Sequence, residues 1–287
     1  MLEIFQPVVM QAEEYARSGD GTQALRTLRQ LPIDDFGRLL LAVPEQYMAL
    51  RALLPRMADD NVQNHWTGAS GEVLLKQSTA FVRTLTSAYR EYGESDLEGS
   101  HILDFGCGWG RLLRLMLKYC DPSRLFGVDP WNESIEICQK DGVLAHLALS
   151  DSVPSQLPFN GTNFDLAYAF SVFTHLSERT ARTCMAALRG RMTRNSLLVI
   201  SIRPVEYWTF HSAWDKDHTP AELVEVHHQN GYAFLPHKRT SIGDDVTFGD
   251  TSISLRYITD KWTEWELLGI DHNDADHYQV LVFLRPR

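Results

Sequence analysis

The stretch Ile102-Leu103-Asp104-Phe105-Gly106-Cys107-Gly108-Trp109-Gly110-Arg111-Leu112-Leu113-Arg114 constrains the fold of this chain more than any other. Its apolar opening reads as a buried strand, its three glycines as a turn, and its leucine-rich end as the start of a helix. Glycine leaves a turn free of side chains, and a helix start carries partial positive charge. The combination predicts backbone N–H groups gathered around one polar ligand. Spacing then discriminates between ligands. A nicotinamide fingerprint needs G-x-G-x-x-G, whereas here the third glycine arrives one residue early, at Gly110, and Arg111 stands in its place. Asp104 closes the strand two positions before the first glycine.

Beyond the turn, helices and apolar strands alternate. A helix over 110–119 leads to the strand Leu125-Phe126-Gly127-Val128-Asp129, and a helix over 132–140 leads to a third strand, Leu144–Leu149. A fourth strand starts at Asn163-Phe164-Asp165-Leu166, a helix covers 178–190 and a fifth strand runs over Ser196–Ile202. Such alternation implies a parallel, doubly wound sheet, whose ligands bind beyond the strand C-termini, where Asp104, Asp129, Asp151 and Ser171 all fall. Asp129 ends its strand about 20 residues beyond the glycines, where a carboxylate accepts hydrogen bonds from both hydroxyls of a ribose. The competing role is to cap the helix at 132–140. Pro130 and Trp131 would then flank an adenine.

The D-x-G-x-G-x-G pattern at 104–110 resembles motif I of the class I S-adenosylmethionine-dependent methyltransferases. The likeness extends through Leu157-Pro158-Phe159, Phe164-Asp165-Leu166 and Ser171-Val172-Phe173-Thr174-His175-Leu176, similar to motif IV and its sequel in small-molecule and glycan methyltransferases. It spans 102 to about 202. The resemblance implies an α/β fold: a Rossmann-like, mostly parallel seven-stranded sheet with the last strand antiparallel. It also implies S-adenosylmethionine as cofactor. Residues Asp104, Phe105, Gly106, Cys107, Gly108 and Gly110 would approach its methionine portion, Asp104 holding the amino group, while Asp151 and Ser152 would approach the adenine edge. The segment Trp66-Thr67-Gly68-Ala69-Ser70-Gly71-Glu72, read as a loop before a long helix, would fold over the cofactor through Thr67 and Gly68; a plain helix N-cap at Ser70 is the other reading. The tail, Gly249-Asp250-Thr251 onward, ends in a hairpin-like pair of strands and is similar to bacterial methyltransferases encoded beside glycan-assembly enzymes.

Composition bounds the rest. With 27 basic and 37 acidic residues the chain carries a formal charge of −10, and no lysine–arginine cluster exceeds short pairs, so nucleic acid is a poor partner. No apolar run reaches the roughly 18 residues of a membrane span, and Glu3 interrupts any signal-peptide start, so the protein is expected to be cytoplasmic. The four cysteines, Cys107, Cys120, Cys138 and Cys184, lack C-x-x-C spacing and read as core residues of a reducing compartment. Residues 1–64 form a helical cap and possible homodimer surface, beginning with a hairpin over Ala12–Leu28 that is similar to, but too solitary for, a tetratricopeptide array. Residues 65–287 form the methyltransferase domain.

Other constellations fail on spacing. Asp271–His277 lacks the glycine and glutamate of a calcium loop, and His227-His228 lacks the H-E-x-x-H arrangement of a zinc site, so no metal is expected. An N-P-P-Y tetrapeptide is missing after the fourth strand, where Phe170-Ser171-Val172-Phe173 stands instead. The expected reaction is methyl transfer to a hydroxyl, with an amine as the lesser choice, of a small molecule or glycan. His175 is the candidate general base, with a structural histidine as the other reading, and Tyr257, His211 and Trp208 are candidates for the acceptor pocket. The polar stretch 203–248 is expected to be a substrate-side insertion. A nicotinamide-dependent oxidoreductase and a non-catalytic cofactor-binding scaffold are the alternatives.

Overall fold

The structure is a computed structural model that describes residues 3–210, 218–237, 246–272 and 275–287. The chain divides into two compact units, residues 1–87 with 95–149 and residues 88–94 with 150–287. In the first, α1 (Gln6–Arg17) and α2 (Gly21–Leu28) form the expected hairpin, turned at the left-handed Gly19 and capped by Asp20, whose side chain accepts from the Gln23 N–H. Helices α3 (Ile33–Leu41), α4 (Met48–Leu53), α5 (Asp60–Thr67) and α6 (Gly71–Tyr92) come after it. Next are β1 (Ile102–Phe105), α7 (Arg111–Met116), β2 (Leu125–Asp129), α8 (Asn132–Lys140) and β3 (His146–Leu149). Strand β2 pairs in parallel with both β1 and β3.

The sequence reading of Trp66-Thr67 as loop is corrected. Both close helix α5, which Asp59 starts by accepting the Val62 N–H and which Gly68 ends in the left-handed region at φ 74°. Helix α7 is also shorter than the expected 110–119: Gly110, at φ 78°, is its N-cap and lies outside it, and the helix stops at Met116 with Leu117 as C-cap.

The first sixty residues are fastened to the α7 region by buried charge. Arg114, fully buried, donates from Nε to the Arg56 carbonyl at 3.0 Å and from Nη2 to the same oxygen at 2.8 Å, while Nη1 binds the Trp109 carbonyl. Its guanidinium also lies 5.1 Å from the Trp109 ring, with Asp141 as counter-charge at 3.5 Å. Burial pushes its pKa down to about 10, so it stays charged at neutral pH. Lys118 Nζ donates to the Arg29 and Leu31 carbonyls, and Arg29 in turn binds the Leu117 carbonyl and Asp121. Within the helical segment, Glu13 is buried beneath α4 and accepts the N–H groups of Ala49 and Leu50. Burial alone would raise its carboxyl, but those donors and Arg17 hold it below the usual range.

The second unit contains β4 (Phe164–Ala169), α9 (Glu178–Arg189), β5 (Met192–Ile202), α10 (Tyr207–Phe210), α11 (Pro220–Asn230), β6 (Tyr232–Pro236), β7 (Gly249–Ile253), α12 (Leu255–Lys261), β8 (Trp265–His272) and β9 (Val280–Pro286). Strands β4 and β5 are parallel, and β9 runs antiparallel to both of its neighbours, β5 and β8. Across the chain the seven strands take the order β3-β2-β1-β4-β5-β9-β8, the doubly wound arrangement expected, with its last strand antiparallel. The stretch 203–248 is not a simple polar excursion. Its described part holds α10, α11 and β6, and β6 pairs with β7 in a separate two-stranded sheet. Thr219 and Glu222 form a capping box on α11, Gly231 ends it at φ 74°, and Trp208, Leu223, Ala233 and Leu235 make its own small core.

Arg114→Ala leaves the carbonyls of Arg56 and Trp109 and the Asp141 carboxylate without their buried donor. It should cost about 3 kcal/mol in chemical denaturation, whereas exposed Arg51→Ala should cost less than about 0.5 kcal/mol.

Candidate active site

The glycine turn owes its shape to backbone conformation. Gly106, Gly108 and Gly110 lie at φ 79°, 52° and 78°, the left-handed region that side chains with a Cβ avoid. At Gly110 space is short as well: a Cβ there would sit 3.0 Å from both Cys138 Sγ and Val143 Cγ2. The expectation that the turn offers its N–H groups to a ligand is corrected. The N–H groups of Gly106 and Cys107 both donate to the Val128 carbonyl, at 2.8 and 2.9 Å, and that of Gly110 donates to the Cys107 carbonyl. The N–H of Gly108 donates to Asp129 Oδ2 at 2.9 Å. The turn is thus open at its glycines because they lack side chains, while these four donors hold its own form.

Asp129 is the centre of that arrangement. Its Oδ1 accepts the Trp131 N–H and the Ser134 hydroxyl, each at 2.9 Å, and its Oδ2 accepts Gly108. Burial raises its pKa, and the three donors pull in the opposite direction. A carboxylate has about four acceptor positions, so Oδ2 retains one. That suits one ribose hydroxyl, not the two expected from sequence. Beside it, Trp131 is 40% exposed and meets Trp66 edge to face at 5.2 Å, and the Trp66 ring passes 3.8 Å from where a Gly108 Cβ would stand. Pro130 is exposed next to Trp131. Asp104 and Phe105 are buried at the end of β1. Cys107 turns its side chain into the core, where hydrogen bonding to Cys138 and burial push its thiol well up. Gly68 is exposed, and the Thr67 hydroxyl is engaged locally, by the Gln63 carbonyl at 2.6 Å. Trp66 opens the segment expected from sequence to fold over the cofactor, although that contact was assigned to Thr67 and Gly68 rather than to its ring.

In the second unit, Asp151 and Ser152 are exposed in an irregular segment. Ser171 is the one described residue other than glycine with positive φ, at 61°, held by its N–H to Ser201 Oγ at 2.7 Å. The residues after it pair with β7. The Gly249 N–H donates to the His175 carbonyl, Leu176 bridges Phe248, and the Thr251 N–H donates to the Thr174 carbonyl. This brings His175 into a charged cluster around Asp250. Arg203 Nη1 donates to Asp250 Oδ1 at 2.5 Å and to the Thr174 carbonyl at 2.8 Å, and His237 Nε2 donates to Asp250 Oδ2 at 2.9 Å. Tyr207, whose ring lies 4.2 Å from the Arg203 guanidinium, also hydrogen-bonds Asp250.

His175 has both ring nitrogens engaged. Nδ1 donates to the Gly249 carbonyl at 2.8 Å, and Nε2 accepts from Arg203 Nη2 at 3.2 Å. Burial first and the Arg203 charge second push its pKa down to about 4. As placed, it is a neutral link without a free lone pair for an acceptor hydroxyl. Tyr257 is buried with its hydroxyl on Glu178 at 2.7 Å, and Trp208 is buried with its N–H on Ser252 at 2.6 Å, so neither lines an acceptor pocket. His211 lies outside the described residues. No cluster of metal-ligating side chains occurs among the described residues. Arg203 carries no motif in the sequence, and Asp250 stands there only within the tail stretch Gly249-Asp250-Thr251, which gave no sign of its partners.

Because the folded-state pKa of His175 lies below its unfolded value near 6.5, the unfolded chain binds the extra proton between about pH 6.5 and 4, and stability falls as pH drops through that window. Wild-type protein should therefore lose about 2 kcal/mol more than His175→Gln between pH 7 and pH 5, measured by denaturant melts.

Comparison with known proteins agrees with this geometry. Residues 102–194 match the family described as "Methyltransferase domain". An O-methyltransferase, cnsE, of Penicillium expansum is 27% identical over 113 residues, which are 37% of this chain and 39% of that protein, so the match spans well under half of either. Among solved structures, the PH0226 protein from Pyrococcus horikoshii OT3 aligns over 78% of this chain and 98% of its own, at TM-score 0.54 and 12% identity. Magnesium protoporphyrin IX methyltransferase from Synechocystis PCC 6803, solved with bound SAH, aligns over 79% of this chain and 93% of its own, at TM-score 0.50 and 12% identity. These two share the fold. Residues 102–194 therefore match a methyltransferase domain, and the fold around them is the one these solved structures share.

Proposed function

We propose that the protein transfers the methyl group of S-adenosylmethionine to a hydroxyl, with an amine as the lesser choice, of a small molecule or glycan. The observation that carries the reading is the closed contact between the left-handed Gly108 and Asp129, which leaves one carboxylate acceptor position open beside a turn whose glycines carry no side chains. In this reading Asp129 holds a ribose hydroxyl, Trp131 and Trp66 lie against the adenine, and residues 104–110 frame the methionine portion. The assignments of Thr67, Gly68, Asp151, Ser152 and Ser171 to the cofactor rest on family resemblance. The O-methyltransferase activity named for the Penicillium relative supports a hydroxyl acceptor.

Held by Asp129 and the turn at residues 104–110, the cofactor would supply an electrophilic methyl group on a sulfonium, with a neutral thioether as leaving group and the acceptor's proton lost to solvent. The protein's part is alignment and exclusion of water, which alone corresponds to effective molarities of about 10⁵ M or more. His175 is a positioning residue here, fixing Arg203 and the Gly249 strand. With its lone pair engaged, deprotonation depends on the acidity of the acceptor itself.

Isothermal calorimetry should show binding of S-adenosylhomocysteine and none of NAD; the reverse result makes the protein a nicotinamide enzyme. Asp129→Asn keeps the size of the side chain but not its charge and should weaken S-adenosylhomocysteine by about 1–3 kcal/mol. Unchanged affinity removes the ribose role.

A further inference from the structure

Helix α5 carries Trp66 onto the glycine turn, yet little apolar packing holds it there. Its eight residues are too few for a helix that is stable by itself, and the one residue of α5 that is buried is polar: Gln63, 3% exposed. The apolar contacts are partial, with half-buried Val62 and Trp66 against Ala58, Leu74 and Trp109. Beside them is a cavity of about 20 Å³ whose lining includes Gln63, Gly71, Leu74, Ser78 and Trp109. Packing that leaves such a gap does not by itself fix a short helix. The amide of Gln63 supplies what the packing lacks. Its Nε2 donates to the Ala58 carbonyl at 2.7 Å, just ahead of the helix, and its Oε1 accepts the N–H of Gly71, the first residue of α6, at 3.1 Å. Both ends of the segment that bears Trp66 are thereby joined through one side chain. The partners dictate which end of the amide is which, since a carbonyl only accepts and an N–H only donates. Methionine or leucine at 63 would offer neither group, and glutamate would set a carboxylate oxygen against the Ala58 carbonyl.

We propose that Gln63 is a positioning residue for the cofactor: its amide sets where the Trp66 ring stands over the glycine turn, and it acts on the adenosyl ligand through that ring alone. The inference rests on the methyl-transfer reading, in which Trp66 lies against the adenine. One turn beyond Gln63, Trp66 meets Trp131 edge to face at 5.2 Å and passes 3.8 Å from where a Gly108 Cβ would stand. The ring is thus in place before a ligand arrives, and the Thr67 hydroxyl, 2.6 Å from the Gln63 carbonyl, ties the same turn of helix. A ring already ordered costs little further entropy on binding, whereas one free to wander must be ordered at the ligand's expense. A buried amide whose two partners lie outside its own helix has that ordering as its direct consequence.

A double-mutant cycle on S-adenosylhomocysteine affinity, read by calorimetry on the full chain, tests the link. Absence of binding by the wild type defeats the methyl-transfer reading itself; every other outcome bears on Gln63. Trp66→Ala should weaken S-adenosylhomocysteine roughly tenfold and Gln63→Met roughly five- to tenfold. Because the second acts through the first, the double variant should stay within about twofold of Trp66→Ala. With 5-fluorotryptophan incorporated, the fluorine resonance of Trp66, assigned by its loss in Trp66→Phe, should be narrow in the wild type and broadened in Gln63→Met, a signature that a loss of stability elsewhere would not produce. Should Gln63→Met fail to fold, Gln63→Glu keeps the side-chain length and the acceptor for Gly71 and carries the same cycle. Wild-type affinity in Trp66→Ala or in the Gln63 variant, penalties that multiply in the double variant, or a Trp66 resonance equally narrow with and without the amide would overturn the proposal.

Discussion

The hydrogen bond from the Gly108 N–H to Asp129 Oδ2 is the contact on which the rest of the site depends. A main-chain donor can reach a carboxylate at the next strand's end only if the turn curls back, and the curl needs left-handed backbone at Gly106, Gly108 and Gly110. The same carboxylate fixes the start of α8 through the Trp131 N–H and the Ser134 hydroxyl. One side chain therefore sets the geometry of two consecutive strand–helix turns. Helix capping and ligand binding, which the sequence presents as competing roles for Asp129, are compatible: three of its acceptor positions are structural and one remains open.

Around this contact the protein builds rigidity from buried charge. Arg114, placed on α7 directly after the glycine turn, binds the Trp109 carbonyl on one side and the Arg56 carbonyl on the other. The turn and the N-terminal helical segment consequently share a single guanidinium. A ligand frame of this kind gains precision from such support, because groups held by packing and hydrogen bonds need little reorganisation when a ligand arrives. The Asp250 hub is a second instance, joining Arg203, His237 and Tyr207 through one carboxylate.

Much of the fold was legible in the sequence, for local reasons. The strand at Ile102–Phe105, the helix at 132–140 and the terminal hairpin announce themselves by apolar periodicity and by glycines, which act within a few residues. The likeness to a methyltransferase domain was legible because the D-x-G-x-G-x-G spacing encodes a backbone shape. Long-range pairing was not. Nothing in the residues around His175 announces that Arg203 will occupy its lone pair or that Gly249 will fix its tautomer. Likewise, the glycine N–H groups look free in the sequence, and the Val128 carbonyl that takes two of the turn's donors is remote along the chain. Trp66 and Thr67 read as loop because their helix is defined by its ends, Asp59 and Gly68, more than by periodicity.

A crystal structure with S-adenosylhomocysteine bound would put the preformed site to its sharpest trial. One ribose hydroxyl should rest on Asp129 Oδ2 and the adenine against Trp131, with the Gly108–Asp129 bond intact beneath the ligand. A ligand bound away from the turn, or a turn that must release Asp129 to admit it, would contradict the claim that this bond preforms the site.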